Sequence, residues 1–163
     1  ILTRTGALET LHGASLMMNI GIVNMEQGDF LAALAAYEDS KRILTRTGAL
    51  ETLHGASLMM NIGIVNMEQG DCPAALAAYE ESNRILTRTG ALETPDGASL
   101  VANIGSVKVQ QGDFLAALAA YEDSKRVLTR TGTLETPNGA SIMANIGNLK
   151  RQQGDFPAAL AAY

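Results

Sequence analysis

The stretch NIGIVNMEQGDFLAALAAYEDSKRIL, residues 19–44, holds two helical patterns on either side of one Gly-Asp pair. It returns 42 residues later with few changes, and less faithful copies follow at the same interval. The glycine of the Gly-Asp pair shows the period, standing at Gly28, Gly70, Gly112 and Gly154. A period of about 20 to 50 residues is typical of stacked units that each bury an apolar face against a neighbour. The sequence therefore predicts a repeat array.

The first helix of each repeat, named helix A, is predicted from apolar spacing. Within residues 14–27 the apolar side chains recur at intervals of three and four, as one face of a helix requires. These residues, which we expect to face the core, are Leu16, Met17, Ile20 and Val23. Thr94-Pro95, preceded by a short loop, has the residue types of an N-cap and a first helical residue. It therefore predicts a helix A start.

The second helix, named helix B, follows a tight turn. Gly28 suits the left-handed residue that ends a helix, and Asp29 is a good N-cap for the next one. Helix B is therefore expected from Leu31. Two copies have proline at this position, Pro73 and Pro157, which fits a first helical turn because no N–H is needed there. No segment alternates like a strand, so the predicted fold is all α.

Composition and charge narrow the possible partners. The 163 residues are 47% apolar and carry a net charge of -5, which fits one soluble domain. Charges of both signs are scattered without a basic block, so we expect no nucleic-acid partner. No apolar run approaches the roughly 20 residues that span a bilayer. We therefore expect a cytoplasmic chain without a membrane partner.

Reactive side chains are few. Cys72 is the one cysteine, so it has no internal disulfide partner, and a small hydrophobic side chain is the expected role. His12 and His54 stand at the same place in different repeats, and polar helix-start residues are the expected role for both. Neither a nucleophile beside a base nor clustered metal ligands nor a phosphate loop is found. We expect no enzyme activity, no metal and no cofactor.

The opening stretch resembles a tetratricopeptide repeat. The resemblance rests on the small Gly21 in helix A, the Gly-Asp turn, and Ala33, Leu34 and Tyr37 in helix B. The 42-residue period and TPDGASLVANIGSVKVQQGDF, residues 94–114, are similar to the kinesin light-chain variety. The resemblance implies a right-handed superhelical solenoid of antiparallel helix A and helix B hairpins. It also implies a non-enzymatic protein–protein interaction scaffold that holds a peptide in a concave groove lined by helix A.

The resemblance covers essentially the whole chain, so residues 1–163 are predicted to form a single array. The predicted segments are the end of a preceding helix B plus a loop at 1–13, repeats at 14–55, 56–97 and 98–139, and a truncated repeat at 140–163. The chain begins within a repeat and is expected to be a fragment of a longer array. Glycine at position 97, where the family has a larger residue, is expected to loosen the first turn of helix A.

Comparison between copies locates a candidate groove. Helix B changes little, whereas one stripe of helix A, spaced by four and three, drifts from apolar to polar. The resemblance implies that this stripe lines the groove; core packing and drift on an unused face are the alternatives. Its residues are Met18, Ile22 and Met25; Met60, Ile64 and Met67; Ala102, Ser106 and Val109; and Ala144, Asn148 and Arg151.

An asparagine recurs beside this stripe, as Asn19, Asn61, Asn103 and Asn145. Asparagine within a helix costs about 0.5 kcal/mol relative to alanine, so a compensating hydrogen bond is expected. The resemblance implies a bond to a ligand backbone or terminal carboxylate, and a bond to the neighbouring repeat is an equal alternative. A carboxylate ligand is the less favoured idea, because only Lys108, Lys150 and Arg151 are basic nearby.

A self-assembling array is the alternative function. The two ends of the sequence have complementary repeat phases, which predicts head-to-tail association, while pairing of the methionine-rich grooves is the rival contact. The residues expected at the association ends are Ile1, Leu2, Phe156, Leu160 and Tyr163.

Overall fold

The computed structural model describes residues 9–163. Within that range the regular secondary structure is entirely helical, with no strand. The eight helices are α1 (Leu11–Glu26), α2 (Phe30–Arg46), α3 (Leu53–Glu68), α4 (Cys72–Arg88), α5 (Pro95–Gln110), α6 (Phe114–Arg130), α7 (Pro137–Gln152) and α8 (Phe156–Ala162). Odd-numbered helices are helix A and even-numbered helices are helix B. The all-α prediction is confirmed.

Helix A begins three residues before the expected Ala14, because a threonine caps it. Thr10 is extended, and its side chain accepts a hydrogen bond of 3.2 Å from the backbone N–H of Gly13. Pro95 is the first residue of α5, as its sequence context predicts. The pyrrolidine ring fits there because the first helical N–H has no partner within the helix.

The turn between helix A and helix B is the same in each copy. In the second copy Gly70 has φ +78°, the left-handed conformation that terminates α3. The carboxylate of Asp71 then accepts a 3.0 Å hydrogen bond from the N–H of Ala74 and caps α4. Helix B therefore begins at the Phe30 position, one residue before the predicted Leu31.

The described chain divides into two compact units. The first ends at Thr89 and contains α1 to α4, and the second, Gly90–Tyr163, contains α5 to α8. In each unit, helix A and helix B of a hairpin pack closely because a glycine of helix A admits a tyrosine ring. A Cβ on Gly63 would lie 2.3 Å from the ring of the buried Tyr79. The prediction that one array covers residues 1–163 stays a prediction.

A buried serine fastens helix B to the start of helix A. The hydroxyl of Ser82 donates a 3.0 Å hydrogen bond to the carbonyl of Ala56, and neither group is open to water. Ser40 and Ser124 repeat this bond with Ala14 and Ala98, at 2.9 and 2.7 Å. Because a buried hydroxyl is costly without a partner, the bond fixes the register of each hairpin.

Gly97 tightens the start of helix A, so the expectation of a loosened first turn is wrong. It is buried, and a Cβ there would lie 2.0 Å from the carbonyl oxygen of Leu92 in the preceding loop. The loop and the first turn therefore approach more closely than any side chain would permit. Gly55 meets Leu50 in the same way.

A glutamate in the loop before helix A forms ion pairs with arginines of helix B. Glu51 lies 2.5 Å from Arg84 and 2.6 Å from Arg88. The hydrogen bond from Arg84 holds the pKa of Glu51 below its usual range, and the nearby charges of Arg84 and Arg88 act in the same direction. Similar pairs join Glu9 to Arg42 and Arg46, and Glu93 to Arg130. We call this arrangement the loop clasp.

The predicted core face of helix A is buried in α3 but not throughout α1. Leu58, Met59 and Val65 of α3 are 0, 5 and 0% exposed. In α1 the equivalents of Ile62 and Val65, Ile20 and Val23, are 40 and 50% exposed. In the first unit α3 packs against α2 as well as against α4 of its own hairpin, whereas among the described helices α1 packs mainly against α2.

Candidate functional site

The methionine-rich stripe lies on the helix A surface of the first unit. Its six members, three on α1 and three on α3, are all half-buried. They are Met18, Ile22 and Met25, and Met60, Ile64 and Met67. The stripe therefore has apolar area open to water in addition to the area it packs against the hairpin.

A pocket of about 260 Å³ opens between α1 and α3 beside this stripe. Met18 and Leu53 supply apolar area, and Ser15, His54 and Ser57 supply polar groups. Asn19, one of the repeated asparagines, also lines it. The pocket thus contains one residue of the predicted methionine-rich stripe, Met18, and one of the predicted asparagines, Asn19. Ser15 and Ser57 were not predicted as site residues.

The stripe has a different character in the second unit. Ala102 is 8% exposed and belongs to the core of that unit, and Val109 packs against the same core. Ala102 therefore offers little surface to a ligand, because the short side chain ends within the packed layer. Ala144 is half-buried, and Arg151 is exposed.

Two polar residues of the stripe hydrogen-bond to helix B. The hydroxyls of Ser106 and Tyr121 are 3.0 Å apart, and Tyr163 donates to the side-chain oxygen of Asn148 at 2.8 Å. The equivalents of Ser106 in the first unit are Ile22 and Ile64, which offer no acceptor. The polar residue at this position therefore forms a hydrogen bond with the tyrosine hydroxyl of the same hairpin. The groove prediction did not include this contact.

A second pocket, of about 280 Å³, lies on the helix A side of the second unit. It is lined by Val109, Tyr121, Asn145, Asn148, Leu149, Arg151 and Gln152. Within residues 9–163, Arg151 forms no ion pair. This pocket is more polar than the one between α1 and α3, and it contains an available guanidinium.

The repeated asparagine lies on the accessible side of helix A. Asn19 is exposed and the three others are half-buried. In the part of the chain that the structure describes, none of the four side-chain amides forms a hydrogen bond. The residues are Asn19, Asn61, Asn103 and Asn145. The expected bond to a neighbouring repeat is therefore not found.

Comparison with known families accounts for this architecture. Residues 14–88 and 97–163 match the tetratricopeptide repeat. The chain belongs to the tetratricopeptide repeat family. No curated protein sequence matches it.

The tetratricopeptide array is also similar to a solved structure, the crystal structure of BtubC (BKLC) from P. vanneervenii. The TM-score is 0.79 at 18% identity, and the match covers 91% of this chain and 59% of that one. This likeness confirms the predicted helical-repeat fold, and the kinesin light-chain variety stays a prediction. Tetratricopeptide repeats generally mediate protein–protein interaction and are typically not enzymes.

The histidines and the cysteine of the tetratricopeptide array lie near helix starts. His12 and His54 are exposed in the first turns of α1 and α3, and Cys72 is half-buried at the start of α4. Across residues 9–163 no three or more acidic, histidine or cysteine side chains converge as metal ligands would. None of the eight described helices has the length and apolar character needed to cross a membrane.

The residues predicted for self-association are exposed where they are described. Phe156, Leu160 and Tyr163 of the last hairpin are 61, 75 and 64% exposed. Ile1 and Leu2 lie outside the described residues. The tetratricopeptide array therefore presents apolar area on the flank of α8.

Proposed function

We propose that the chain is a binding module that holds a peptide segment of a protein partner on its helix A surface. The observation that carries this proposal is the repeated asparagine, whose side-chain amide has no hydrogen-bond partner within residues 9–163. Such an amide offers two donors and an acceptor, which match the C=O and N–H groups of an extended peptide backbone. A main-chain ligand gives one reason for keeping a residue of modest helix propensity at the same place in each helix A.

The surroundings of the asparagines support an apolar contact beside the backbone contact. Met18 and Met60 are half-buried, and methionine adapts its unbranched side chain to partners of varied shape. The pocket between α1 and α3 has room for an apolar ligand side chain beside Met18. In the first unit a peptide would therefore gain hydrogen bonds from the asparagines and apolar burial from the methionines.

The polar pocket of the second unit offers a different contact to the ligand. Arg151 has no acidic partner in the described chain, and Asn145 lies in the same pocket. A guanidinium binds a carboxylate with two parallel hydrogen bonds. We infer that this unit favours a polar or acidic portion of the peptide.

Substitution of Asn61 by alanine distinguishes ligand binding from a structural role. A phage-displayed random peptide library is selected on the immobilised protein, and the affinity of a captured peptide is measured for each variant. Loss of one or two hydrogen bonds, each contributing about 0.5–1.5 kcal/mol, is expected to weaken binding about 2- to 150-fold. The melting temperature is expected to stay the same or rise slightly, because alanine is the better helix former.

The matched control is Asn83→Ala, which removes an exposed asparagine side chain from helix B in the same unit. This variant is expected to bind the captured peptide as the unchanged protein does. Failure to capture any peptide, or a fall in melting temperature for Asn61→Ala with no change in affinity, contradicts the proposal.

A further inference from the structure

The pocket between α1 and α3 has a structural counterpart in the second unit. The pocket is lined by Ser15 of α1 and by His54 of α3. Two repeats later the same helical positions hold Ser99 of α5 and Asn138 of α7. There the side-chain N–H of Asn138 donates a 2.9 Å hydrogen bond to the hydroxyl oxygen of Ser99. The second unit thus shows that a serine at this position binds a carboxamide.

Ser15 offers the same acceptor in the first unit. Its hydroxyl donates to the carbonyl of Leu11 at 3.1 Å, as the hydroxyl of Ser99 donates to the carbonyl of Pro95 at 2.9 Å. The hydroxyl hydrogen of Ser15 is therefore bound within the helix, and its oxygen is left to accept from an incoming N–H group. Within residues 9–163 the side chain of His54 makes no hydrogen bond, so it does not take this place.

Ser57 supplies a second polar contact in the same pocket. The serines at its position in the three other A helices each donate to the carbonyl four residues earlier. The hydroxyl of Ser57 has no such bond in the described part of the chain, and it can both donate and accept. The pocket thus contains an acceptor and an adaptable hydroxyl, which match the N–H and C=O groups of a carboxamide.

The rest of the lining selects among side chains that have an N–H group. Of the six described residues that line the pocket, none is acidic, so the charged end of a lysine or arginine would lose water without gaining a counter-charge. A carboxylate has no hydrogen to donate to Ser15. Met18 and Leu53, the latter 45% exposed, offer apolar area on which methylene groups can pack. Glutamine combines the carboxamide with two methylene groups.

We propose that this pocket binds the side-chain carboxamide of a glutamine in the peptide partner, as Ser99 binds the carboxamide of Asn138. His54 determines this specificity, because an asparagine at its position would fill the pocket with a carboxamide of the chain itself. The inference rests on the proposed binding of a peptide by helix A, and it assigns one side chain of that peptide.

Peptides captured from the phage-displayed library test the ligand side of the contact. In a captured peptide whose affinity falls with Asn61→Ala, each glutamine is replaced in turn by glutamate and by methionine. We expect one glutamine at which either replacement weakens binding about 10-fold, because both remove the N–H donor while keeping a side chain of similar length.

Variants of His54 test the protein side. His54→Asn is expected to weaken binding of the glutamine peptide about 10-fold, because a carboxamide that occupies Ser15 about nine-tenths of the time leaves about a tenth of the molecules competent. His54→Ala is expected to weaken binding less, since it supplies no competing carboxamide. His12→Asn is the matched control, because His12 is exposed at the same position of α1 and does not line the pocket. It is expected to bind the peptide as the unchanged protein does.

Four outcomes overturn the proposal while peptide binding by helix A stands. They are captured peptides that lack glutamine, glutamines that tolerate both replacements, an unchanged affinity for His54→Asn, and a loss for His54→Ala as large as that for His54→Asn. Circular dichroism establishes that each variant keeps the helix content of the unchanged protein. Capture of no peptide, or an affinity indifferent to Asn61→Ala, instead contradicts the proposed function itself.

Discussion

The helix B tyrosines occupy the same repeat position but differ in the hydrogen bonding of their hydroxyls. Tyr37 and Tyr79 of the first unit are fully buried, and their hydroxyls have no partner within the described chain. The hydroxyl of Tyr121 is 3.0 Å from that of Ser106. Burial raises the pKa of all three phenols, and the Ser106 hydrogen bond partly opposes this effect at Tyr121. An unpartnered buried hydroxyl lowers stability, because the water it gave up on folding is not replaced.

Removal of the hydroxyl is therefore expected to have opposite effects in the two units. Tyr79→Phe deletes an unpartnered group and keeps the ring that packs on Gly63, so the free energy of unfolding is expected to rise by up to about 1 kcal/mol. Tyr121→Phe deletes a hydrogen bond and is expected to lower it by about 0.5–1.5 kcal/mol. Urea unfolding monitored by circular dichroism measures both. Destabilisation by Tyr79→Phe would show that the hydroxyl has a partner in solution.

At the scale of the element, the loop clasp ties the segment before helix A to the C-terminal turn of helix B. Glu51 approaches Arg84 and Arg88, which lie one turn apart on α4. The side chains are 37 to 53% exposed, so solvent screens the attraction and each clasp contributes modestly. The clasp joins α4 to the loop whose carbonyl at Leu50 lies close to Gly55.

The loop clasp is expected to make stability depend on pH. The hydrogen bond from Arg84 lowers the pKa of Glu51 in the folded chain, so folding favours the ionised carboxylate. Its contribution is complete above the usual pKa of 4.5 and is lost as pH falls through the lowered folded value. Glu51→Gln is therefore expected to reduce the melting temperature at pH 7, and the difference is expected to narrow below pH 4.5.

Glu135→Gln is the control for this pH dependence. Glu135 occupies the equivalent loop position in the last copy and forms no ion pair in the described chain. The substitution is expected to leave the melting temperature unchanged at both pH values. Equal effects of the two substitutions would mean that net charge, and not the clasp, determines the response.

Helix positions could be predicted from the sequence because their signals are local. Asp29 and Pro95 mark helix starts by satisfying or omitting particular backbone N–H groups, and the structure begins α2 and α5 beside them. The site was less predictable, because exposure depends on which helix lies opposite. Ala102 lies in the core, and Ser106 bonds to Tyr121, since contacts across a hairpin do not follow from helical spacing alone.

At the scale of the whole molecule, α1 and α3 show what position in an array adds to sequence. The two helices are identical over 16 residues, so any difference between them arises from their neighbours. Val65 is fully buried, whereas Val23 is 50% exposed. The array thus contains its own matched comparison, in which one substitution can be made twice in the same local sequence.

Val65→Ala and Val23→Ala are accordingly expected to differ in cost. Each removes two methyl groups, at about 0.8 kcal/mol per fully buried group, and Val65→Ala also leaves a cavity. We expect urea unfolding at high dilution to show a loss above about 1.5 kcal/mol for Val65→Ala and less than half of that for Val23→Ala. Equal costs at high dilution would mean that another part of the same chain already covers Val23, which would contradict its exposure in the structure.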